Sequence, residues 1–266
     1  MARHLRPGPL LPARPAEGWG VRRRELLGAA GVLVAAGPAF AQTAQDGVTT
    51  ERVTYQSNGK TIRAVAFRPG ANANGAGVVY IHGSGGMGLD QLAFARQFAV
   101  DGYLSLAPTY LDAAEDDIVR REPVMEAWRD SARDGIEWLI GQGIDRRRTG
   151  VVGYSLGSYI AVDGALGDSR AAAAIAVCGG WDVYIPRHPA RRIPVLIIRS
   201  ERDHVVSPAS TQRWRDFLQD GEVPVRVQVT RGAGHLMTAA QWSEVYGRSQ
   251  TFFAEQLGVS SDRQEP

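Results

Sequence analysis

The chain has 266 residues, 44% of them hydrophobic and 22% charged, values of a globular protein that exclude disorder as its main state. The formal charge of +2 comes from residues 1–41, which hold six arginines against two acidic residues and leave 24 Lys+Arg against 26 Asp+Glu in residues 42–266. A slightly acidic body lacks the basic face that nucleic acid requires, so that class of partner is excluded.

The chain opens on a leader. Arg22, Arg23 and Arg24 precede Glu25, and the uncharged stretch 26–41 ends in Ala39-Phe40-Ala41, the pattern of an export signal cleaved before Gln42. The stretch is short for a membrane anchor, which needs about 20 apolar residues. The order Arg-Arg-x-Leu-Leu resembles a bacterial twin-arginine signal, with an ordinary Sec signal as the alternative. Both predict a soluble periplasmic or secreted product in which residues 42–266 form one domain. Cys178 is the only cysteine, so no intramolecular disulfide can form.

Beyond the leader, segments 52–57 and 61–67 flank Asn58-Gly59-Lys60, which predicts an antiparallel hairpin of edge strands. The apolar run 77–81 predicts a strand buried on both faces. After it, Leu92, Ala95, Phe98 and Ala99 recur at helical spacing behind Asp90, the expected N-cap. The alternation continues with a strand at 103–107 and a helix presenting Met125, Trp128, Ala132, Ile136 and Leu139. A strand at 149–154 and a helix from Leu156 come next, then strands at 172–177, 194–199 and 223–230. The last helix places Trp242, Val245, Tyr246, Ser249, Phe252 and Phe253 on one side. Strands alternating with amphipathic helices predict an α/β fold, a mostly parallel central sheet covered by helices on both faces. Such folds carry their sites at the carboxyl ends of the strands.

Gly153-Tyr154-Ser155-Leu156-Gly157 has the G-x-S-x-G spacing. It follows an apolar strand and opens a helix, the setting in which small flanking residues permit a sharp turn that pushes a serine hydroxyl outward. A serine hydroxyl needs a base to take its proton and an acid to fix the tautomer of that base. Asp203 lies just beyond strand 194–199 and His235 just beyond strand 223–230, so Ser155, Asp203 and His235 are the candidate catalytic residues. Glu201 and Asp182 are the rival carboxylates. The negative oxygen of a tetrahedral intermediate needs fixed donors. The Leu156 amide is one candidate. The Ser84 amide in His82-Gly83-Ser84-Gly85-Gly86 is the other, with Gly85 as its alternative. His82 is expected to brace that loop. The histidines lack metal-ligand spacing and the glycine loops lack a nucleotide-binding pattern, so no metal and no cofactor is expected. Cys178 reads as buried filler rather than a nucleophile.

With these motifs in place the chain resembles the α/β-hydrolase superfamily over about residues 52–257, and within it the dienelactone hydrolase family. The resemblance implies an α/β-hydrolase fold without a large cap domain, since only residues 179–193 separate the sixth strand from the seventh. It also implies a serine esterase. The sequence departs from the named enzyme of that family at two matched positions: Ser155 stands where it has a cysteine, and Gly83 where it has a glutamate. Both departures point away from dienelactone itself as the substrate.

The expected activity is hydrolysis of small-molecule esters or lactones through an acyl-enzyme. A peptidase or acyltransferase on the same triad, and a non-catalytic secreted binding protein, are the alternatives. Met87, Tyr110, Trp181, Tyr184, His204, Leu236 and Met237 are candidate substrate-pocket residues because all fall on expected loops at strand ends. Arg187, Arg191 and Arg192 are candidates for attracting a substrate carboxylate.

Overall fold

The computed structural model describes residues 42–44, 46–115, 122–182 and 185–259; the leader and Tyr184 lie outside them. Among the described residues nine strands form one sheet: β1 (Gln42–Thr43), β2 (Thr49–Ser57), β3 (Lys60–Arg68), β4 (Gly77–Ile81), β5 (Leu104–Pro108), β6 (Thr149–Tyr154), β7 (Ala173–Val177), β8 (Val195–Ser200) and β9 (Val225–Thr230). Their spatial order is β1-β2-β3-β5-β4-β6-β7-β8-β9. Five helices accompany them: α1 (Leu89–Val100), α2 (Glu122–Gly141), α3 (Leu156–Leu166), α4 (Pro208–Asp220) and α5 (Ala239–Gln256).

The β2–β3 hairpin turns at Asn58 (φ 47°) and Gly59 (φ 75°), with Ser57 paired to Lys60 across it. Two consecutive positive φ values are what a two-residue hairpin turn demands, and Asn-Gly supplies them at the least steric cost. From β5 through β9 all neighbours are parallel. Successive strand residues there feed opposite cores. Val79, Ile81, Val151, Ala174 and Ile197 face α2, α3 and α4, whereas Val78, Tyr80, Val152, Ile175 and Ile198 face α1 and α5. A strand covered on both faces reads as an unbroken apolar run, which is why these segments show no polar alternation.

Strand β1 has no counterpart in the sequence reading, and because it pairs with β2 while β5 pairs with β3, the hairpin strands expected at an edge lie inside the sheet. Two helices differ as well. Helix α1 is capped by Gly88 rather than Asp90; Asp90 sits in its first turn, where a negative charge complements the helix dipole. Helix α4 has no counterpart in the sequence reading, although its start signal is present. Ser207 accepts a hydrogen bond from the Ser210 amide, Pro208 occupies the first turn, and Thr211, Trp214 and Leu218 are buried at helical spacing. The described part of the β7–β8 connection holds no helix, so no large cap covers the sheet there. No helix among the described residues is long and apolar enough to cross a membrane.

The register of the sheet positions the site. Ile81 pairs with Gly153, Tyr154 with Val177, Val177 with Ile198 and Ser200 with Thr230. The carboxyl ends of β4, β6, β7, β8 and β9 are therefore neighbours along one rim. The strand order reverses at β4, flanked by β5 and β6, the switch point at which such sheets open a crevice.

Candidate active site

Ser155 forms the corner between β6 and α3 with φ 52° and ψ −123°, a left-handed conformation that only a tightly packed turn maintains. Its neighbours explain the packing. A Cβ on Gly153 would lie 2.0 Å from the Gly157 carbonyl oxygen, and one on Gly157 would lie 2.3 Å from that of Ile81. Both positions must be glycine for α3 to close onto the ends of β4 and β6. The Ser155 amide donates to the Val177 carbonyl at 2.9 Å, tying the corner to β7.

Three side chains distant in sequence meet at this corner. His235 Nε2 lies 2.9 Å from Ser155 Oγ, and His235 Nδ1 lies 2.9 Å from Asp203 Oδ2. The other carboxylate oxygen of Asp203 accepts the Val205 and Val206 amides at 2.9 and 2.8 Å, so the carboxylate cannot swing away. Burial opposes the Asp203 charge, but the His235 side chain, the Val206 amide and the Val205 amide outweigh it and hold the carboxyl below its usual range. The rival carboxylates are engaged elsewhere: Asp182 accepts the Tyr159 hydroxyl, and Glu201 accepts the Gly232 amide.

Tyr154 was not singled out in the sequence, yet its hydroxyl donates to the His235 carbonyl at 2.8 Å and its ring lies 5.4 Å from the imidazole. Burial raises its phenol, so the hydroxyl remains a donor. The signal was its place inside G-x-S-x-G, where the residue before the serine shares the corner with it.

Cys178 also approaches the pair, its sulfur within 4.8 Å of the Asp203 and His235 ligand atoms. Burial pushes its thiol up to about 12, and the sulfur contacts Ser200 Oγ at 3.3 Å. Both nitrogens of the neighbouring imidazole are already engaged by Asp203 and Ser155, which leaves no free ring nitrogen to bind a metal beside the thiol.

On the other flank, Gly86 donates to the Gly83 carbonyl at 3.1 Å, closing a turn whose apex is the exposed Ser84 and Gly85. The Ser84 amide has no protein acceptor among the described residues. Leu156 opens α3, so its amide lacks an intrahelical partner. His82 is buried beneath the loop. Its Nδ1 lies 2.7 Å from the Gly83 carbonyl oxygen and its ring is stacked 4.5 Å from that of Tyr110. Burial lowers its pKa more than the Gly83 carbonyl and Asp112 raise it, so the ring is neutral and Nδ1–H is the donor.

The expected pocket residues fall into different environments. Leu236 and Met237 line a cleft of ≈ 260 Å³ with Tyr80, Gln91, Phe94, Tyr154 and Trp242. Tyr110 is fully buried and cannot touch a substrate; it supports His82. Trp181 packs against Phe217, and Met87 is half-buried against the core that α1 and α5 cover. His204 is exposed beside Asp203; Tyr184 lies outside the described residues. The three arginines hold the fold instead of facing the site. Arg187 pairs with Glu122 and Glu126, Arg191 donates to the carbonyls of Ala165, Ser169 and Ala171, and Arg192 pairs with Glu222.

A mostly parallel sheet with helices on both faces, and a serine corner at the rim, define an α/β hydrolase. The chain matches the sequence profile of the Dienelactone hydrolase family over residues 62–252. It belongs to that family, and so is a carboxylic ester hydrolase. No curated protein matches. Among solved structures, a dienelactone hydrolase-like promiscuous phosphotriesterase, P91, from metagenomic libraries is similar at 17% identity and a TM-score of 0.66, covering 79% of this chain and 99% of that one. A putative dienelactone hydrolase from Klebsiella pneumoniae subsp. pneumoniae is similar at 20% identity and a TM-score of 0.65, covering 78% and 99%. A cold-adapted esterase from an Arctic intertidal metagenomic library is similar at 16% identity and a TM-score of 0.64, covering 82% and 97%. At these identities the likeness is one of fold.

The buried neutral His82 makes stability depend on pH. Below about pH 6.5 the unfolded chain gains a proton that the folded chain refuses, so the fold weakens as pH falls through that range. Replacing His82 by Asn keeps a donor near the Gly83 carbonyl and removes the titration. The fall in Tm between about pH 7 and about pH 5 should then be shallower than in the unaltered protein, and an equal fall would contradict the assignment.

Proposed function

We propose that the protein hydrolyses small-molecule carboxylic esters or lactones through an acyl-enzyme, with Ser155 as nucleophile, His235 as base and Asp203 as the group that orients it. The observation that carries this reading is the unbroken hydrogen-bonded chain from Asp203 through both nitrogens of His235 to Ser155 Oγ. Asp203 holds the proton of His235 on Nδ1, which leaves the Nε2 lone pair facing the hydroxyl. Ser155 Oγ attacks the carbonyl carbon as His235 takes its proton, and the carbonyl oxygen becomes an oxyanion met by the Leu156 and Ser84 amides. Each such donor is worth roughly 3 kcal/mol in the transition state. The intermediate collapses, the C–O bond to the alcohol breaks, and His235 gives its proton to the departing oxygen. Water, deprotonated by the same imidazole, then attacks the acyl-enzyme and releases the acid with Ser155 restored. Tyr154 is a positioning residue in this scheme, because its hydrogen bond fixes the main chain that carries the imidazole.

We also propose that residues 1–41 export the protein to the periplasm or beyond, which the Arg-Arg motif and the Ala39-Phe40-Ala41 site favour. In a bacterial host the protein should be recovered from outside the cytoplasm and begin at Gln42; retention in the cytoplasm would overturn the proposal.

Substituting Ser155→Ala should abolish turnover of p-nitrophenyl acetate in folded protein. Asp203→Asn, which leaves the imidazole in the wrong tautomer, should lower kcat by about 10³- to 10⁴-fold. Turnover retained by the alanine variant would refute the nucleophile, and a loss under about tenfold in the asparagine variant would refute the role of Asp203.

A further inference from the structure

The ester-hydrolase reading leaves the identity of the ester open, and a groove beside the triad narrows it. Helix α1 turns Ala93, Phe94 and Gln97 toward Trp242, Ser243 and Tyr246 of α5, enclosing ≈ 370 Å³. Each trio follows the spacing of one helical face. This space shares Asp90, Phe94, Met237 and Trp242 with the ≈ 260 Å³ cleft that reaches Tyr154 and Leu236. The two volumes are thus one groove running from the flank of the triad out between the helices. Volumes of this order are those of small-molecule sites.

We infer that this groove binds the alcohol portion of the ester, and that this portion is a long, uncharged apolar group. Three observations set its chemistry. The floor is aromatic: the Phe94 ring meets Trp242 at 5.5 Å and Tyr246 at 5.6 Å. At the triad end Leu236 stands 86% exposed, an apolar side chain open to a ligand in the cleft it lines. The single charged lining residue is Asp90, so nothing in the wall pairs with a carboxylate, and a carboxylate would be repelled. The direction follows from the proton path. His235 returns its proton to the departing oxygen, so the alcohol leaves on the imidazole side. The groove begins there, against Tyr154, whose ring packs on the imidazole, and Leu236, the next residue in the chain.

The proposal rests on the ester-hydrolase reading, and the test separates the two. Two ester series are compared in the exported protein: acetates of alcohols from methanol to octanol, and methyl esters of acids from acetic to octanoic. Along the alcohol series kcat/KM should rise about tenfold or more, and a terminal carboxylate on the longest alcohol should erase the gain. Ala93→Trp and Ser243→Trp fill the groove from opposite helices at exposed positions; each should flatten the rise. A flat alcohol series in the unaltered protein, a rise confined to the acid series, or a rise undiminished in both variants would overturn the proposal. Failure to hydrolyse any ester would overturn the underlying reading and the proposal with it.

Discussion

At φ 52° and ψ −123°, the backbone of Ser155 occupies a region where a side chain costs on the order of 1–3 kcal/mol, and the surrounding chain is built to hold it there. Gly153 and Gly157 let β6, α3 and the end of β4 approach more closely than any Cβ would permit. The Val177 carbonyl anchors the Ser155 amide from the other side. Strain confined in this way lifts the hydroxyl off the sheet and leaves the Leu156 amide at the start of α3 without an intrahelical partner. In the proposed mechanism, nucleophile and oxyanion donor are thus two consequences of one turn.

The imidazole is constrained just as closely, though by different means. Its two nitrogens are engaged by Asp203 and Ser155 and its face by the Tyr154 ring, while the main-chain carbonyl of His235 accepts the Tyr154 hydroxyl. Asp203 in turn is pinned by two amides of its own loop. Tyr154 and Ser155 are consecutive, so the strand that presents the serine also steadies the histidine. Behind them the Cys178 thiol, held protonated by burial, fills the space at the end of β7 without competing as a nucleophile.

Most of the scaffold was legible because strands buried on both faces must be apolar throughout and helices on a sheet must be striped. The order of Ser155, Asp203 and His235 at three strand ends was legible for the same reason, since strand ends are visible in the sequence. What escaped depends on packing between distant segments. Helix α4 is polar over most of its surface and shows its buried Thr211, Trp214 and Leu218 only once a cap is recognised at Ser207. Tyr110 and Trp181 lie on the expected loops, but their side chains turn inward, which loop position alone does not reveal. Phe94, Trp242 and Tyr246 look like core residues in sequence; their rings meet between α1 and α5 and also line the groove that runs along those helices. The arginines of the β7–β8 connection look like a substrate trap in sequence because Glu122 and Glu222, the partners of Arg187 and Arg192, lie in distant segments.

Acid-quenching the protein milliseconds after mixing with a slowly deacylating ester, then weighing and digesting it, tests the central claim most directly. The account predicts a mass increase equal to one acyl group, carried by the peptide that contains Ser155. An adduct on Cys178 or His235, or an unmodified chain during observed turnover, would contradict it.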